Sequence, residues 1–390
     1  MSDPADRQEE RWGQTPPPAR SVVPRLLWGA AAALLTGPYA AGARIHRFVY
    51  EAGIRPQVQL PCAVVAVGSP LVGGTGKTPF VAWLGSALHR RGRRVAILSR
   101  GYGRRSRGLV VVSDGDRVLE GAERAGDEPL WLSARCPGVP VIVCEDRAEA
   151  GRLAHTTFGV DTVLLDDGLQ HHALARDVSV ATLDADYGLG NGRGLPLGPL
   201  REPLSMLGRA DVLAVWGDAF PAADAERIER AAPGLKRLQL ERCSVSLRVL
   251  GRRESTGLET LRGQSVGLLS GIANPARLRA SVEALGARVV AERRFGDHHR
   301  YRRRDLGGLG SQTPIWLTSE KDAVKLRASW AQGVEIRVLG SAVEVPEAEA
   351  FLSWLEARLA RKSGAAGPLP AVVSRSREAG ARAGSSPTGC

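Results

Sequence analysis

Residues 67–80 read VGSPLVGGTGKTPF, a glycine-rich stretch that ends in Gly-Lys-Thr and follows a short apolar run. A loop that binds phosphate must aim backbone N–H groups at the phosphate oxygens, with the start of a helix behind them. Gly73, Gly74 and Gly76, with Thr75 among them, permit this inward curl because glycine has no Cβ to clash. The stretch therefore predicts a phosphate-binding loop.

The two residues that follow the glycines supply the remaining chemistry of such a loop. Lys77 offers a positive charge for the phosphates, and Thr78 offers a hydroxyl for Mg²⁺. The usual spacing G-x-x-x-x-G-K-[ST] would place glycine where Leu71 stands, so a glycine-rich turn without a ligand is the alternative. The apolar strand pattern before the loop and the helical pattern after it favour the nucleotide site. Since the chain lacks the guanine signature N-K-x-D, we expect ATP rather than GTP.

Several further apolar runs are separated by helical patterns and end in glycine or acidic residues. This alternation predicts an α/β fold with a parallel sheet covered on both faces. The run TVLLDD ends in Asp166 and Asp167, at the edge of the sheet where such folds bind ligands, so we expect these carboxylates to hold Mg²⁺. The next loop adds Gln170 and His171 as candidate substrate contacts, with His172 interpreted as a surface residue.

The chain is long enough for two domains and two tails. The predicted fold is a P-loop NTPase-like parallel-sheet domain and a second, smaller α/β domain, joined by a β-ribbon linker and preceded by a hydrophobic membrane helix. The predicted boundaries are a disordered tail at 1–21, the membrane-associated helix at 22–55, the P-loop domain at 56–236, the ribbon at 237–257, the second domain at 258–361 and a disordered tail at 362–390.

Within the predicted membrane-associated helix at 22–55, the segment Leu26–Ala43 carries no charged residue over 18 positions. A bilayer span needs roughly 20 apolar residues, and Gly37-Pro38 interrupts this segment. Three interpretations stay open: a helix lying in the membrane interface, a true span, and a buried core helix.

Composition narrows the possible partners. The net charge is +12 and comes almost entirely from arginine, because the chain has only five lysines. A lysine within GGTGKT is therefore not expected from composition alone. Such basicity suits nucleic acid, an anionic membrane surface or a phosphorylated substrate. Aromatic residues amount to 5% and are not interleaved with the basic runs, which argues against nucleic acid.

The five cysteines form no C-x-x-C pair and indicate a reducing compartment. No sequence feature indicates an oligomeric state.

Eight motifs, taken in order, are more specific than any one of them. They are GGTGKTP, SRGYGR (99–104), GDEP (126–129), DDGLQHH (166–172), GNGRGLPLGPLREP (190–203), SGIANP (270–275), DHHRY (297–301) and TSEKDAVKL (318–326). In this order and spacing, roughly residues 22–360 resemble the tetraacyldisaccharide 4'-kinases of lipid A biosynthesis.

The resemblance implies Mg²⁺- and ATP-dependent phosphorylation of the 4'-hydroxyl of an acylated disaccharide 1-phosphate. It implies work at the cytoplasmic face of the bacterial inner membrane, two α/β/α domains and a membrane-associated N-terminal helix. By matching motifs, it makes Asp127 the base and His298 its partner, Glu202 a metal or phosphate-region acid, and Asn191 a substrate or loop contact. Arg100 and Arg201 are candidates for binding phosphate.

Without the resemblance, the same residues have plainer interpretations. Asp127 would cap a helix, with Pro129 at an early helical position. His298 would lie on the surface, and the arginines would pair with carboxylates. Residues 320–322 would form a structural ion network or act at the nucleotide, and the sequence leaves both open. The main rival function is a membrane-associated switch ATPase that phosphorylates no small molecule. That rival leaves GNGRGLPLGPLREP and DHHRY unexplained.

Overall fold

The structure is a computed structural model that describes residues 37–38, 41–252, 254–331 and 333–363. The predicted tail at 1–21, most of Leu26–Ala43 and nearly all of the tail at 362–390 lie outside the described residues. Within the described part, no helix combines the length and the apolar character needed to cross a membrane.

Thirteen strands form one continuous sheet whose order is β11-β10-β12-β13-β8-β7-β6-β1-β5-β2-β4-β3, with β9 paired to β8. The strands are β1 Ala63–Gly68, β2 Val95–Ser99, β3 Val110–Ser113, β4 Val141–Val143, β5 Thr162–Asp166, β6 Val178–Asp184, β7 Val212–Trp216, β8 Arg237–Val249, β9 Ser255–Thr256, β10 Ser265–Ser270, β11 Arg288–Arg294, β12 Ile315–Ser319 and β13 Glu335–Glu344.

A helix precedes the first strand, another follows the last, and the others connect strands. The helices are α1 41–51, α2 Lys77–Arg90, α3 Ala122–Ala125, α4 Asp127–Arg135, α5 Arg147–Phe158, α6 Ala222–Ala231, α7 Pro275–Ala284, α8 Glu320–Ala323 and α9 Ala348–Ser363. Short 3₁₀ turns cover Leu204–Arg209, Leu258–Leu261, Arg303–Leu306 and Ala328–Trp330.

The seven strands of the N-terminal half run parallel except β3, which is antiparallel to β4. Every residue of β1 is buried, because the two faces of the strand belong to different core clusters. Val65 packs on the side of α2, and Val64 packs on the side of α5. This double coverage explains the near-continuous apolar runs in the sequence.

Strand β8 connects the two halves of the sheet. Its first residues pair in parallel with β7, and its later residues pair antiparallel with β13. It also forms an antiparallel pair with the short β9, inside the predicted ribbon at 237–257. Beyond it, β10, β11, β12 and β13 pair in parallel. The two halves therefore share one sheet, and a cleft lies along their junction.

The last helix differs from the domain prediction, which places it in the second domain. Phe351, Leu355 and Leu359 of α9 pack into the core cluster of the first half, alongside α2. Arg91 at the end of α2 holds α9 through Glu349 at 2.7 Å and Glu356 at 3.1 Å. The apolar stripe of α9 thus finds its partner across the molecule, which local sequence patterns do not reveal.

Candidate active site

The glycine-rich loop joins β1 to α2, as the sequence predicts. Gly73 and Gly76 adopt positive φ angles of 97° and 72°, which favour glycine. Gly76 is the N-cap of α2, and a Cβ at this position would collide with the indole ring of Trp216. Glycine at position 76 therefore lets the loop turn into α2 against Trp216, and the start of a helix is the feature that phosphate binding uses.

Leu71 explains the unusual entry to this loop. Its side chain is fully buried, and its backbone forms an antiparallel bridge with Leu200. The Val72 N–H donates to the carbonyl of Pro199 at 2.8 Å, and the Arg201 N–H donates to that of Pro70 at 2.7 Å. The entry is thus held as an extended segment against residues 199–201, where a leucine can anchor in the core and no glycine turn is needed.

The two consecutive aspartates lie beside this loop because β5 neighbours β1. Asp166 is in register with Val67, and its Oδ1 lies 3.4 Å from the Thr78 hydroxyl. Asp167 lies 3.6 Å from the Lys77 ammonium and accepts a hydrogen bond from Arg201 at 2.6 Å. Its φ angle of 56° is rare for a residue with a side chain and is typical of functional sites.

The electrostatics of the two carboxylates differ. Burial raises the pKa of Asp166, and the nearby Glu128 and Asp167 raise it further. Burial also opposes ionisation of Asp167, but Lys77 and Arg201 outweigh this effect and lower its pKa. Lys77 and Lys321 oppose the rise in the pKa of Asp166 only in part. Among the described residues no cation forms an ion pair with Asp166, whereas Lys77 and Arg201 pair with Asp167. Asp166 is therefore the carboxylate that is available to a metal ion.

The residues around Thr78 and Asp166 fit Mg²⁺. No cluster of three or more His, Cys, Asp or Glu side chains suited to a metal occurs among the described residues. Mg²⁺ in kinases takes only one or two protein oxygens and completes its shell with water and phosphate oxygens. A hydroxyl and a carboxylate 3.4 Å apart beside a phosphate loop supply that small donor set.

A cleft of about 290 Å³ opens in front of the loop and runs between the two halves. One wall consists of loop residues 73–79 with Glu128 and Trp131, and the other wall comes from the second half and from β8. The second wall includes Arg242, Cys243, Ser244, Ile272, Ala273, Asn274, Arg277, Leu278, Ser319, Glu320 and Lys321. If the loop bound the phosphates of a nucleotide, the attached nucleoside would lie in this cleft.

Asp127 begins α4, and its side chain faces the second half of the molecule. The N-cap position is Gly126, so Asp127 is the first helical residue rather than the cap, although its Oδ1 accepts a hydrogen bond from the Glu128 N–H at 3.0 Å. Its Oδ1 and Oδ2 also lie 3.1 Å and 2.9 Å from Nδ1 of His298. His298 has a φ angle of 59° and is half-buried, so the surface interpretation of His298 is wrong.

The two groups of the pair shift each other's pKa in opposite directions. Burial would raise the pKa of Asp127, but His298, Lys321 and Lys325 together lower it to about 2. The hydrogen bond with Asp127 raises the pKa of His298 above its usual value, against the opposing effect of burial. Each partner therefore stabilises the charged form of the other.

A second cavity of about 220 Å³ opens on this pair. Its lining comes from both halves and comprises Tyr102, Gly103, Arg105, Ala122, Glu123, Gly126, Asp127, His298, Arg300, Tyr301 and Lys325. Arg300 donates to the carbonyl of Gly103 at 2.7 Å, so the motifs SRGYGR and DHHRY meet here. Because Asp127 lines this cavity and Glu128 lines the cleft, the two spaces adjoin at the first turn of α4.

The motif TSEKDAVKL contributes to both functions that its sequence left open. Ser319, Glu320 and Lys321 line the cleft, and Lys321 pairs with Glu128 at 2.6 Å. Glu320 pairs with Arg135 at 3.4 Å. These ion pairs connect the two halves of the molecule, and Glu128, Glu320 and Lys321 also line the cleft.

Three residues around the site were missed by sequence reasoning. They are Glu128, the buried Arg147 near Asp166 and Asp167, and Lys325, whose Nζ lies 3.6 Å from Asp127. The scarcity of lysine in this chain is the one signal that singles out Lys325.

The predicted substrate residues do not form one group. Arg201 pairs with Asp167, as its plainer interpretation holds, and Arg100 is exposed. Asn191 serves a turn, because its side chain accepts from the Arg193 N–H at 3.0 Å and donates to the carbonyl of Leu197 at 2.7 Å.

The loop after β5 holds polar groups in buried positions. Gln170 donates to the carbonyl of Ser69 at 3.1 Å, while its Oε1 and the Nε2 of His171 find no hydrogen-bond partner in the described part of the chain. Burial and Arg147 lower the pKa of His171 to about 4. His172 is buried, which corrects the surface interpretation.

Glu202 lies in a different cluster from Thr78 and Asp166. Its carboxylate is buried and pairs with Arg209 at 3.1 Å and with Arg47 of α1 at 3.8 Å. Arg209 also pairs with Glu51 at the end of α1, at 2.6 Å. These contacts assign Glu202 to the attachment of α1, and we leave it out of the metal site.

Comparison with known proteins gives a consistent result. The family model described as tetraacyldisaccharide-1-P 4'-kinase matches residues 28–360. A tetraacyldisaccharide 4'-kinase of Anaeromyxobacter sp. (strain Fw109-5) is 41% identical over 372 residues, covering 87% of this chain and 97% of its own. One of Geobacter metallireducens is 39% identical over 304 residues, covering 76% and 88%.

Among solved structures, LpxK from Aquifex aeolicus in complex with ATP superposes with a TM-score of 0.71 and 29% identity, covering 85% of this chain and 99% of its own. The residues matched by the family model, 28–360, include the loop, both halves of the sheet and every site residue described above. This chain therefore belongs to the tetraacyldisaccharide-1-P 4'-kinase family and is a kinase.

Proposed function

We propose that this protein transfers the γ-phosphate of ATP to the 4'-hydroxyl of a tetraacyldisaccharide 1-phosphate, a step of lipid A biosynthesis. The observation that carries the proposal is the adjacency of the two spaces at α4. Glu128 faces the cleft with the phosphate loop, and Asp127 faces the cavity with His298. A donor phosphate and an acceptor hydroxyl can then meet across one helical turn.

ATP binds through the loop in this proposal. The N–H groups of residues 73–78 and the Lys77 ammonium contact its phosphates, while Thr78 and Asp166 hold Mg²⁺ and Asp167 keeps Lys77 and Arg201 in place. Mg²⁺, when bound, neutralises charge on the β- and γ-phosphates. Phosphoryl transfer depends mainly on such positioning and charge stabilisation.

Asp127 and His298 act together as the base. A sugar hydroxyl is a poor nucleophile at neutral pH, so a group that accepts its proton accelerates transfer. The pair accepts a proton when His298 is neutral and Asp127 is ionised, with Nδ1–H of His298 directed at the carboxylate. The proton of the hydroxyl then remains on the pair as the oxygen bonds to the γ-phosphorus of ATP, while the bond from that phosphorus to the β,γ-bridging oxygen breaks and ADP leaves.

The substrate reaches this cavity from a membrane surface, which we infer from α1. Ile45 and Phe48 on this helix are 63% and 60% exposed, and Arg44 is exposed beside them. Apolar side chains flanked by arginine suit the interface of an anionic membrane. The attachment of α1 through Glu51, Glu202 and Arg209 holds this face outward. The cytoplasmic face of the inner membrane is where ATP and the lipid meet.

The test is transfer of label from γ-³²P-ATP to tetraacyldisaccharide 1-phosphate in detergent micelles. Wild-type protein should label the lipid, and Lys77→Ala and Asp127→Ala should not. Hydrolysis of ATP without labelled lipid would instead support the switch ATPase.

A further inference from the structure

We propose that Lys325 is a positioning residue for phosphoryl transfer, which holds the Asp127 carboxylate towards His298 by tying it to Asp322. The inference rests on the proposed function of the Asp127–His298 pair. It adds a residue that does not itself act on the substrate.

Lys325 is buried in an unusual way for a lysine. Its side chain is only 7% exposed, whereas lysines in folded proteins nearly always keep the ammonium in water. Its Nζ lies 3.1 Å from Oδ1 of Asp322 and 3.6 Å from Oδ2 of Asp127, and 5.5 Å from the ring centre of Tyr301. A buried ammonium needs paired charges, and two carboxylates provide them.

Asp322 is a rigid anchor for this ammonium. Its exposure is 0%, and its Oδ2 accepts hydrogen bonds from the Gly271 N–H and the Ser319 hydroxyl, both at 3.0 Å. Ser319 also accepts from the Asp322 N–H at 3.1 Å, which fixes the start of α8. Since Asp322 cannot rotate without losing these bonds, the position of Lys325 is set by the second half of the molecule.

The carboxylate of Asp127 is consequently held from two sides. His298 contacts both of its oxygens, and Lys325 approaches Oδ2. Asp127 belongs to the first half, whereas all of its cationic partners belong to the second. The charged or titratable groups around it are His298, Lys321 and Lys325, with Asp297, Tyr301, Asp322, Arg105, Glu123, Glu128 and Arg300 further around the cavity.

A purely structural role makes a different prediction. If Lys325 served only to neutralise Asp322, removing both charges would leave a balanced core and an active enzyme. If Lys325 acts on Asp127, removing both charges still leaves Asp127 with one cation fewer. Lys325→Met paired with Asp322→Asn separates these cases, because asparagine retains the acceptor for Gly271 and Ser319.

The experiment measures kcat and KM for full-length wild type, Lys325→Met, and the double variant Lys325→Met/Asp322→Asn across pH 5.5–9. We expect kcat to fall about tenfold or more in both variants, with KM for ATP changed by less than about twofold. The acid limb of the kcat profile of Lys325→Met should move up by about one pH unit, because one positive charge near the pair is lost; the double variant also loses a negative charge and should show a smaller shift.

The same variants are combined with Asp127→Asn to test whether Lys325 acts through Asp127. In that background, the Lys325→Met/Asp322→Asn change should lower kcat by less than about twofold, since the Asp127 carboxylate on which Lys325 acts is already replaced.

Thermal unfolding shows whether each variant folds, and the double variant is decisive if Lys325→Met does not. A double variant with wild-type kcat would overturn the role of Lys325. If Asp127→Asn itself kept full activity, the proposed base would fail instead, so the two failures are distinguishable.

Discussion

The Nδ1 atom of His298 lies 2.9 Å from Oδ2 of Asp127, although 171 positions separate them in the chain. Asp127 starts a helix of the first half, and His298 follows β11 in the second half. His298 has a left-handed backbone, which is rare for a residue with a side chain and is typical of functional sites. The contact therefore exists only while the two halves are together, and it borders the cavity proposed for the acceptor.

Replacing His298 should disable transfer without disturbing ATP binding. We expect His298→Asn to lower kcat about 100-fold, because a positioned base contributes that order of rate, while KM for ATP stays within about twofold. Initial rates with labelled ATP measure both constants. The matched control is His299→Asn, since His299 pairs with Asp305 at 3.0 Å and stacks on Phe295. Equal losses in the two variants would contradict the assignment.

The rate of transfer should rise with pH. The pKa of His298 is raised above 6.5, so the fraction of neutral imidazole, and with it kcat, increases through a pKa above 6.5. In Asp127→Asn the residual activity should show this limb at lower pH, because the anion that raises the pKa is removed. A kcat–pH profile of each protein tests this, and an unmoved limb would count against the pair.

The contribution of the same pair to the stability of the fold should decrease as the pH rises above 6.5, whereas the rate of transfer should increase. The contribution of His298 is complete below pH 6.5 and is lost as pH rises through its raised pKa. The contribution of Asp127 is complete above pH 3.8 and is lost as pH falls towards about 2. A double-mutant cycle in urea should thus show the largest coupling between pH 3.8 and 6.5, and a coupling that grows above pH 8 would contradict it.

Gly76→Ala should abolish nucleotide binding. A Cβ would collide with Trp216 and would also strain a residue whose φ is 72°, which costs about 1–3 kcal/mol. Calorimetric titration with Mg-ATP and thermal unfolding measure the two effects. Gly92→Ala is the control, because Gly92 has a φ of 86° but nothing within 4 Å of a Cβ. It should lose stability yet bind ATP normally.

Asp166→Asn should weaken the response to Mg²⁺ more than Asp167→Asn does. Asp166 faces the Thr78 hydroxyl, whereas Asp167 is occupied by Lys77 and Arg201. We expect the Mg²⁺ concentration for half-maximal rate to rise about tenfold or more in Asp166→Asn, in line with loss of one of very few protein ligands. EDTA should stop transfer by wild type. A larger shift in Asp167→Asn would reverse the assignment.

The variant Ile45→Ser/Phe48→Ser should bind membranes poorly. Two exposed apolar side chains contribute on the order of 1.5–3 kcal/mol each when buried in lipid, so binding should fall at least about tenfold. Co-sedimentation with anionic vesicles measures it. Val290→Ser is the control, since Val290 is 49% exposed on β11. Equal losses in both proteins would exclude α1 as the membrane contact.

The sequence predicts well the features that depend on short segments. The apolar run before the loop, residues 62–68, coincides with β1, and the helical pattern at 79–92 coincides with α2. Asp166 could be placed beside the loop because parallel strands end at one edge of a sheet. Each of these inferences uses residues whose neighbours in space are also near in sequence, or follows a general rule of sheet geometry.

Other contacts cannot be predicted from the sequence, because the partner of a side chain is distant in the chain. Glu202 has the residue type of a metal ligand, but Arg47 and Arg209 hold it near α1. The last helix completes the core of the first half, although it follows the strands of the second. Nothing in the local pattern of either segment indicates which surface it will meet.

The sequence by itself determined the α/β class, the phosphate loop and, through its motifs, the family. It did so because backbone conformation and apolar periodicity are local properties. Only the tertiary structure decided that Asp127 meets His298 and Lys325, that Lys77 and Arg201 pair with Asp167 rather than with Asp166, and that Leu71 serves as an anchor. These depend on which charges and surfaces are brought within a few ångströms, and that follows from how the two halves of the sheet pair across β8.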